Sequence, residues 1–82
     1  MEFEKKARKL LEGKNLVYKY KDGSKPHYMI DWHFMRIVNG KALFYYGGFE
    51  HCAHEVYMSI ESLKELETKR CVNYQYGVLM YI

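Results

Sequence analysis

The run His27 to Val38 ends at Asn39-Gly40, and a second apolar run, Ala42 to Tyr46, follows directly. Asn-Gly between two such runs is the strongest short-range hairpin signal, because both residues accept the positive φ of a type I′ turn. A two-residue turn here predicts that facing residues sum to 79. Phe34 then faces Tyr45, Trp32 faces Gly47 and Arg36 faces Leu43 on one side of the ribbon. On the other side His33 faces Tyr46, Met35 faces Phe44 and Ile37 faces Ala42. Both sides are hydrophobic, so one is expected to cover a core and the other to meet a second chain or a ligand.

The remaining elements arrange themselves around this ribbon. Phe3, Ala7, Leu10 and Leu11 recur at helical spacing over Glu2 to Glu12, with Glu2–Lys6 and Glu4–Arg8 as i,i+4 pairs and Gly13 as the C-terminal cap. Leu16 to Tyr20 alternates as a strand, and Asp22-Gly23 with Pro26 marks a turn. Glu55 to Ile60 alternates again. Ser62 with Glu65 is a capping-box pattern for a short helix reaching Lys69. Cys71 to Ile82 reads as one strand with Val72, Tyr74, Tyr76, Val78, Met80 and Ile82 on one face. Twelve extended residues span roughly 40 Å, more than the roughly 30 Å width of a domain this size, so Gly77 is expected to bend or bulge it. The predicted class is α+β, one domain over residues 1–82. It has a mainly antiparallel sheet of four to five strands, with an N-terminal helix and a short second helix packed on one face.

Only about 60–65% of the surface of so short a chain leaves water on folding. Nine Tyr, four Phe and one Trp exceed what such a core absorbs, so some rings are expected outside. The wager for a recognition surface is Trp32, His33, Phe34, Arg36, Tyr45 and Tyr46, with ring anchors and a directional guanidinium. The same stripe fits a second class of function, stacking the bases of single-stranded RNA. For that reading charge is the relevant balance. Met1 to Pro26 carries eight Lys/Arg against four Asp/Glu, while the whole chain is only +3, so nucleic acid ranks below a protein or small ligand as partner.

A third class rests on His51-Cys52-Ala53-His54, which holds the side chains zinc and thiol chemistry use, with Cys71 or His33 as further donors. The spacing is not that of paired Cys-x2-Cys knuckles, and no metal or cofactor is assigned. Asp31 and His33, two apart on a strand, invite an acid–base reading. The plainer expectation is that His33 packs edge-on against Tyr46. No nucleophile elbow, phosphate loop or dinucleotide pattern is present, so no catalytic residue is assigned. No stretch is apolar for the roughly 20 residues of a membrane span, and no signal segment opens the chain. A cytoplasmic protein, free to form homo-oligomers, with two free thiols follows as the expectation.

Phe3 to Val17, an amphipathic helix running through Glu12-Gly13-Lys14 into a strand, resembles the opening of small phage proteins that counter bacterial defence, the Thoeris-inhibitor type among them. In its size, aromatic content and lack of a catalytic motif the chain is similar to anti-CRISPR and other phage-encoded inhibitors. The resemblance implies a non-catalytic inhibitor, encoded by a phage or mobile element, that binds a host protein or a small nucleotide-like ligand.

Overall fold

A computed structural model describes residues 2–47 and 54–82. Two helices and seven strands follow in the order α1 (Glu2–Leu11), β1 (Leu16–Tyr20), β2 (His27–Met29), β3 (His33–Val38), β4 (Lys41–Tyr46), β5 (His54–Met58), α2 (Ile60–Lys69), β6 (Cys71–Tyr74) and β7 (Gly77–Tyr81). The strands form two antiparallel sheets, of order β2-β1-β7-β6 and β3-β4-β5. The class is α+β with an N-terminal helix, as the patterning predicts, but the strands divide between two sheets because both long runs are broken.

The first break is in the run His27 to Val38. Asp31 takes a left-handed conformation, φ 62°, and turns the chain between β2 and β3. Four bonds fix that corner. The Asn15 Oδ1 accepts the Asp31 N–H (2.9 Å), the Trp32 N–H donates to the Lys14 carbonyl, the Trp32 carbonyl accepts the Gly13 N–H, and the Trp32 indole donates to the Met29 carbonyl (3.1 Å). The second break is in Cys71 to Ile82, which is a hairpin rather than one bent strand. Gln75, φ 51°, and Tyr76 make its turn, and Tyr74 pairs with Gly77. Gly77 is neither bulge nor bend. It opens β7 where a Cβ would stand 2.6 Å from the Lys19 carbonyl oxygen and 2.9 Å from the Tyr18 ring. The missing side chain lets β7 pass under that ring, whose hydroxyl donates to the Tyr74 carbonyl.

The helices follow their sequence signals with two corrections. Ala7, Leu10 and Leu11 are buried and Phe3 packs against the core, while Gly13 adopts the left-handed cap conformation at φ 72°. Glu4 pairs with Arg8 at 3.0 Å, but Lys6 reaches across to Glu67 of α2 (3.1 Å) instead of bonding Glu2. The N-cap of α2 is Ser59, whose hydroxyl accepts the Ser62 N–H, so Ser62 lies one turn inside the position the capping-box pattern gives it. Leu63 and Leu66 of α2 join Leu16, Met29, Trp32, Phe44, Met58, Val72 and Leu79 in one hydrophobic cluster that both sheets and both helices share. The Tyr81 hydroxyl donates to the Leu10 carbonyl (2.6 Å) and ties the last strand to α1.

Candidate functional site

The hairpin of β3 and β4 positions the residues that sequence patterning singles out. Val38↔Lys41, Ile37↔Ala42 and Arg36↔Leu43 obey the sum of 79; beyond them the register slips to Phe34↔Phe44 and His33↔Tyr45. Met35 is the extra residue, a β-bulge that resets the alternation of β3. Phe34 therefore turns inward against Phe44, with ring centroids 5.7 Å apart. His33 and Arg36, which the unbroken pattern puts on opposite faces, end on the same outer face.

Trp32 is 0% exposed and sits 5.8 Å from the Tyr46 ring and 5.7 Å from that of Phe44, so Trp32 and Tyr46 are interior supports. Phe34 is half-buried beneath the Arg8 guanidinium, 4.7 Å from its ring centroid. His33, Arg36 and Tyr45 remain outside. Strand pairing then fixes two rows on the outer face of this sheet. His33–Tyr45–Glu55 runs across β3, β4 and β5, and Arg36–Leu43–Tyr57 runs beside it. Leu43 is wholly buried although it points outward, Tyr57 is 42% exposed and Arg36 is exposed. Arg36 also donates to the Met35 sulfur (3.2 Å), which holds its stem along the bulge. Tyr57 carries no sequence signal of its own, since its place in the row depends on β5 pairing with β4. Beside it, Val38, Asn39, Lys41, Asn73, Tyr74 and Tyr57 line an open cleft of about 560 Å³.

One end of the face is clamped by ionic groups. His33 Nδ1 lies 2.8 Å from Glu12 Oε2, and its Nε2 lies 3.0 Å from Asp31 Oδ2. The other Glu12 oxygen accepts the Phe34 N–H at 2.8 Å and lies 3.9 Å from Arg8. Hydrogen bonds to Glu12 first, then to Asp31, raise the His33 pKa above its ordinary value. Partial burial pushes the Glu12 carboxyl upward, but the Phe34 N–H, His33 and Arg8 together outweigh it, and its pKa is lowered. His33 packs against Tyr45, centroids 5.3 Å apart, rather than Tyr46, because the bulge shifts its partner by one. With both ring nitrogens on carboxylates, His33 offers no lone pair to a substrate or metal in this arrangement, and its chemistry is that of a clamp joining α1 to β3.

Of the segment His51 to His54, only His54 is described; His51 and Cys52 lie outside the described residues. The His54 ring stacks on Tyr46 at 5.3 Å, and Cys71 is half-buried in the other sheet, paired with Met80. Among the described residues no group of three or more His, Cys, Asp or Glu side chains is arranged to hold a metal ion. Among the same residues no helix is long and apolar enough to cross a membrane. Protein-family models, curated proteins and solved structures were all compared with the chain, and none matches.

Proposed function

We propose that the chain is a non-catalytic binding protein of the small inhibitor type that recognises a partner protein on the outer face of β3-β4-β5. The observation that carries this reading is the pair of rows in which Arg36, Tyr45 and Tyr57 stand around the sealed Leu43. Arg and Tyr are the residues that most often dominate binding energy, and an aromatic centre with a charged rim, here the Tyr45 and Tyr57 rings among Glu55, Lys41 and Asp31, is the usual anatomy of a recognition patch. The clamp on His33 adds rigidity, so less conformational entropy is lost on docking.

The test compares the parent chain with a double variant, Arg36→Glu with Tyr57→Ala, immobilised at equal density and checked by circular dichroism for equal folding. A partner held by the parent and weakened at least a hundredfold in the variant supports the reading, as expected for two anchors of about 2 kcal/mol each. A partner held equally by both, or by neither, removes it.

The cleft beside Tyr57 favours a second reading, a small polar ligand. Its volume falls within the roughly 300–1,000 Å³ of small-molecule sites, and Tyr74 and Tyr57 supply an aromatic wall beside Asn39, Asn73 and Lys41. A thermal shift with nucleotides that Lys41→Gln abolishes would support it. No shift with any nucleotide would end it.

A further inference from the structure

The outer face of the other sheet carries a different surface. Strand pairing aligns Tyr28, Val17, Met80 and Cys71 in one row across β2, β1, β7 and β6, with Lys19, Val78 and Asn73 in the next. These side chains stand opposite the core-facing set of Leu16, Met29, Leu79 and Val72. Tyr28 is 60% exposed, and Ile30 and Ile82 at the strand ends are 45% and 69% exposed. Beyond the second row, the Lys21 N–H donates to the Tyr76 carbonyl, which places the 82%-exposed Tyr76 beside Lys21 at the end of the sheet.

No carboxylate occupies either row. The sheet and its turns, residues 13–31 and 70–82, carry Lys14, Lys19, Lys21, Lys25 and Arg70 against two acids, of which Asp22 is engaged by Ser24 in its own turn and Asp31 by His33. The modest net charge of the whole chain hides this, because the acids concentrate elsewhere: Glu50, Glu55, Glu61, Glu65 and Glu67 lie between residues 48 and 68 with Lys64 as the sole cation.

We infer that this face binds single-stranded nucleic acid, with Tyr28 as a stacking platform and Lys19, Lys21 and Lys25 along the phosphates. Three observations select this occupant. An anionic partner matches the excess of cations, and a second copy of the same face would oppose lysine to lysine across a two-fold axis. Lys19, near the end of β1, and Lys21, in the turn just beyond it, are two residues apart with at most about 7 Å between Cα atoms, so they offer successive cations to a backbone rather than a closed grip on one ion. Tyr28 stands in the open beside the buried Val17, and a base stacks on such a ring whatever its sequence. An acidic peptide satisfies the first of these but gives the ring no role. The inference is independent of the proposal for β3-β4-β5, since none of Tyr28, Lys19, Lys21 and Lys25 belongs to that face or to the cleft beside it.

Fluorescence anisotropy with end-labelled 12-nucleotide oligo-U and oligo-dT, read from low to moderate salt, tests it. Binding that weakens with a log–log slope near −2 is expected, about −0.7 for each of three neutralised phosphates. Lys19→Gln with Lys21→Gln should make the slope shallower by about 1.4. Tyr28→Ala should cost roughly tenfold in affinity at an unchanged slope. Lys64→Gln, on the solvent side of α2, removes a positive charge away from this face and should leave both affinity and slope unchanged. The inference is overturned by no binding at low salt, by indifference to Tyr28→Ala in a variant with the parent's circular dichroism, by equal affinity for a labelled polyglutamate, or by tighter binding to a duplex of the same length.

Discussion

Glu12→Ala is expected to destabilise the chain by about 2 kcal/mol near pH 6, and the loss should depend on pH in a defined way. Its carboxylate accepts the Phe34 N–H at 2.8 Å and holds His33 at 2.8 Å. Hydrogen bonds to charged groups contribute about 1.5–3 kcal/mol when sheltered. The Glu12 side chain is 36% exposed and that of His33 34%, so solvent screening reduces each to about 1 kcal/mol. For a domain of this size a loss of about 2 kcal/mol lowers Tm by roughly 8–16 °C. The folded His33 has a raised pKa, so its contribution is complete below the unfolded value of about 6.5 and is lost as pH rises through the folded value. Glu12 has a lowered pKa, so its share is present above about 4.5 and is lost as pH falls through the folded value. The gap between parent and variant is therefore widest from about pH 5 to 6.5 and narrows toward pH 9 to the Phe34 bond alone. Glu12→Gln, which can still accept that N–H, should lose about half as much. Urea denaturation at three pH values measures this; a gap under about 0.5 kcal/mol at pH 6, or one that widens toward pH 9, refutes the clamp.

Gly77→Ala should cost at least about 2 kcal/mol, since its Cβ meets the Lys19 carbonyl oxygen at 2.6 Å and backbone in a paired strand cannot yield cheaply; a thermal melt within 2 °C of the parent would contradict it. Trp32→Phe should lose about 2–3 kcal/mol, because it removes the indole bond to the Met29 carbonyl and leaves a void beside Phe44 and Tyr46. Denaturation read by tyrosine fluorescence gives that figure, and a variant as stable as the parent would show the indole bond to be dispensable. Asp31→Asn should leave His33 with one carboxylate and move its titration, followed by proton NMR, toward the ordinary value, while Asn still tolerates the left-handed backbone; an unmoved titration would remove Asp31 from the clamp.

The helices, the Asn-Gly turn and the strand Leu16–Tyr20 were legible because each depends on neighbours within a few residues. Gly13 closes α1 as its position implies, and the 79 register holds as far as Arg36↔Leu43. What misled was alternation in strands that are apolar on both sides. Val72 and Tyr74 face the core, but after the Gln75-Tyr76 turn the inward set is Gly77, Leu79 and Tyr81, and Val78 and Met80 face out. A period of two carries straight across such a turn, so the stripe gives no sign of it. Asp31 carries no glycine to announce its positive φ, and only the Asn15 side chain and the Lys14 carbonyl, distant in sequence, hold it. Of the six residues first assigned to the recognition surface, His33, Arg36 and Tyr45 reach the outer face. Phe34 went inward with the additional residue at Met35, Trp32 with the Asp31 corner that precedes β3, and Tyr46 with Ala42 and Phe44 by the alternation of β4 itself.

Met35 makes the identity of the surface a matter of counting. Excising Met35 would bring Phe34↔Phe44 directly beside Arg36↔Leu43, so the strand would alternate strictly while His33, Phe34 and Arg36 kept their present sides. Drawing Met35 into the ladder opposite Phe44 would do the reverse, moving Phe34 opposite Tyr45 into water and His33 opposite Tyr46 toward the interior. What the ribbon displays is therefore decided by whether this one residue is skipped, and not by which side chain it carries.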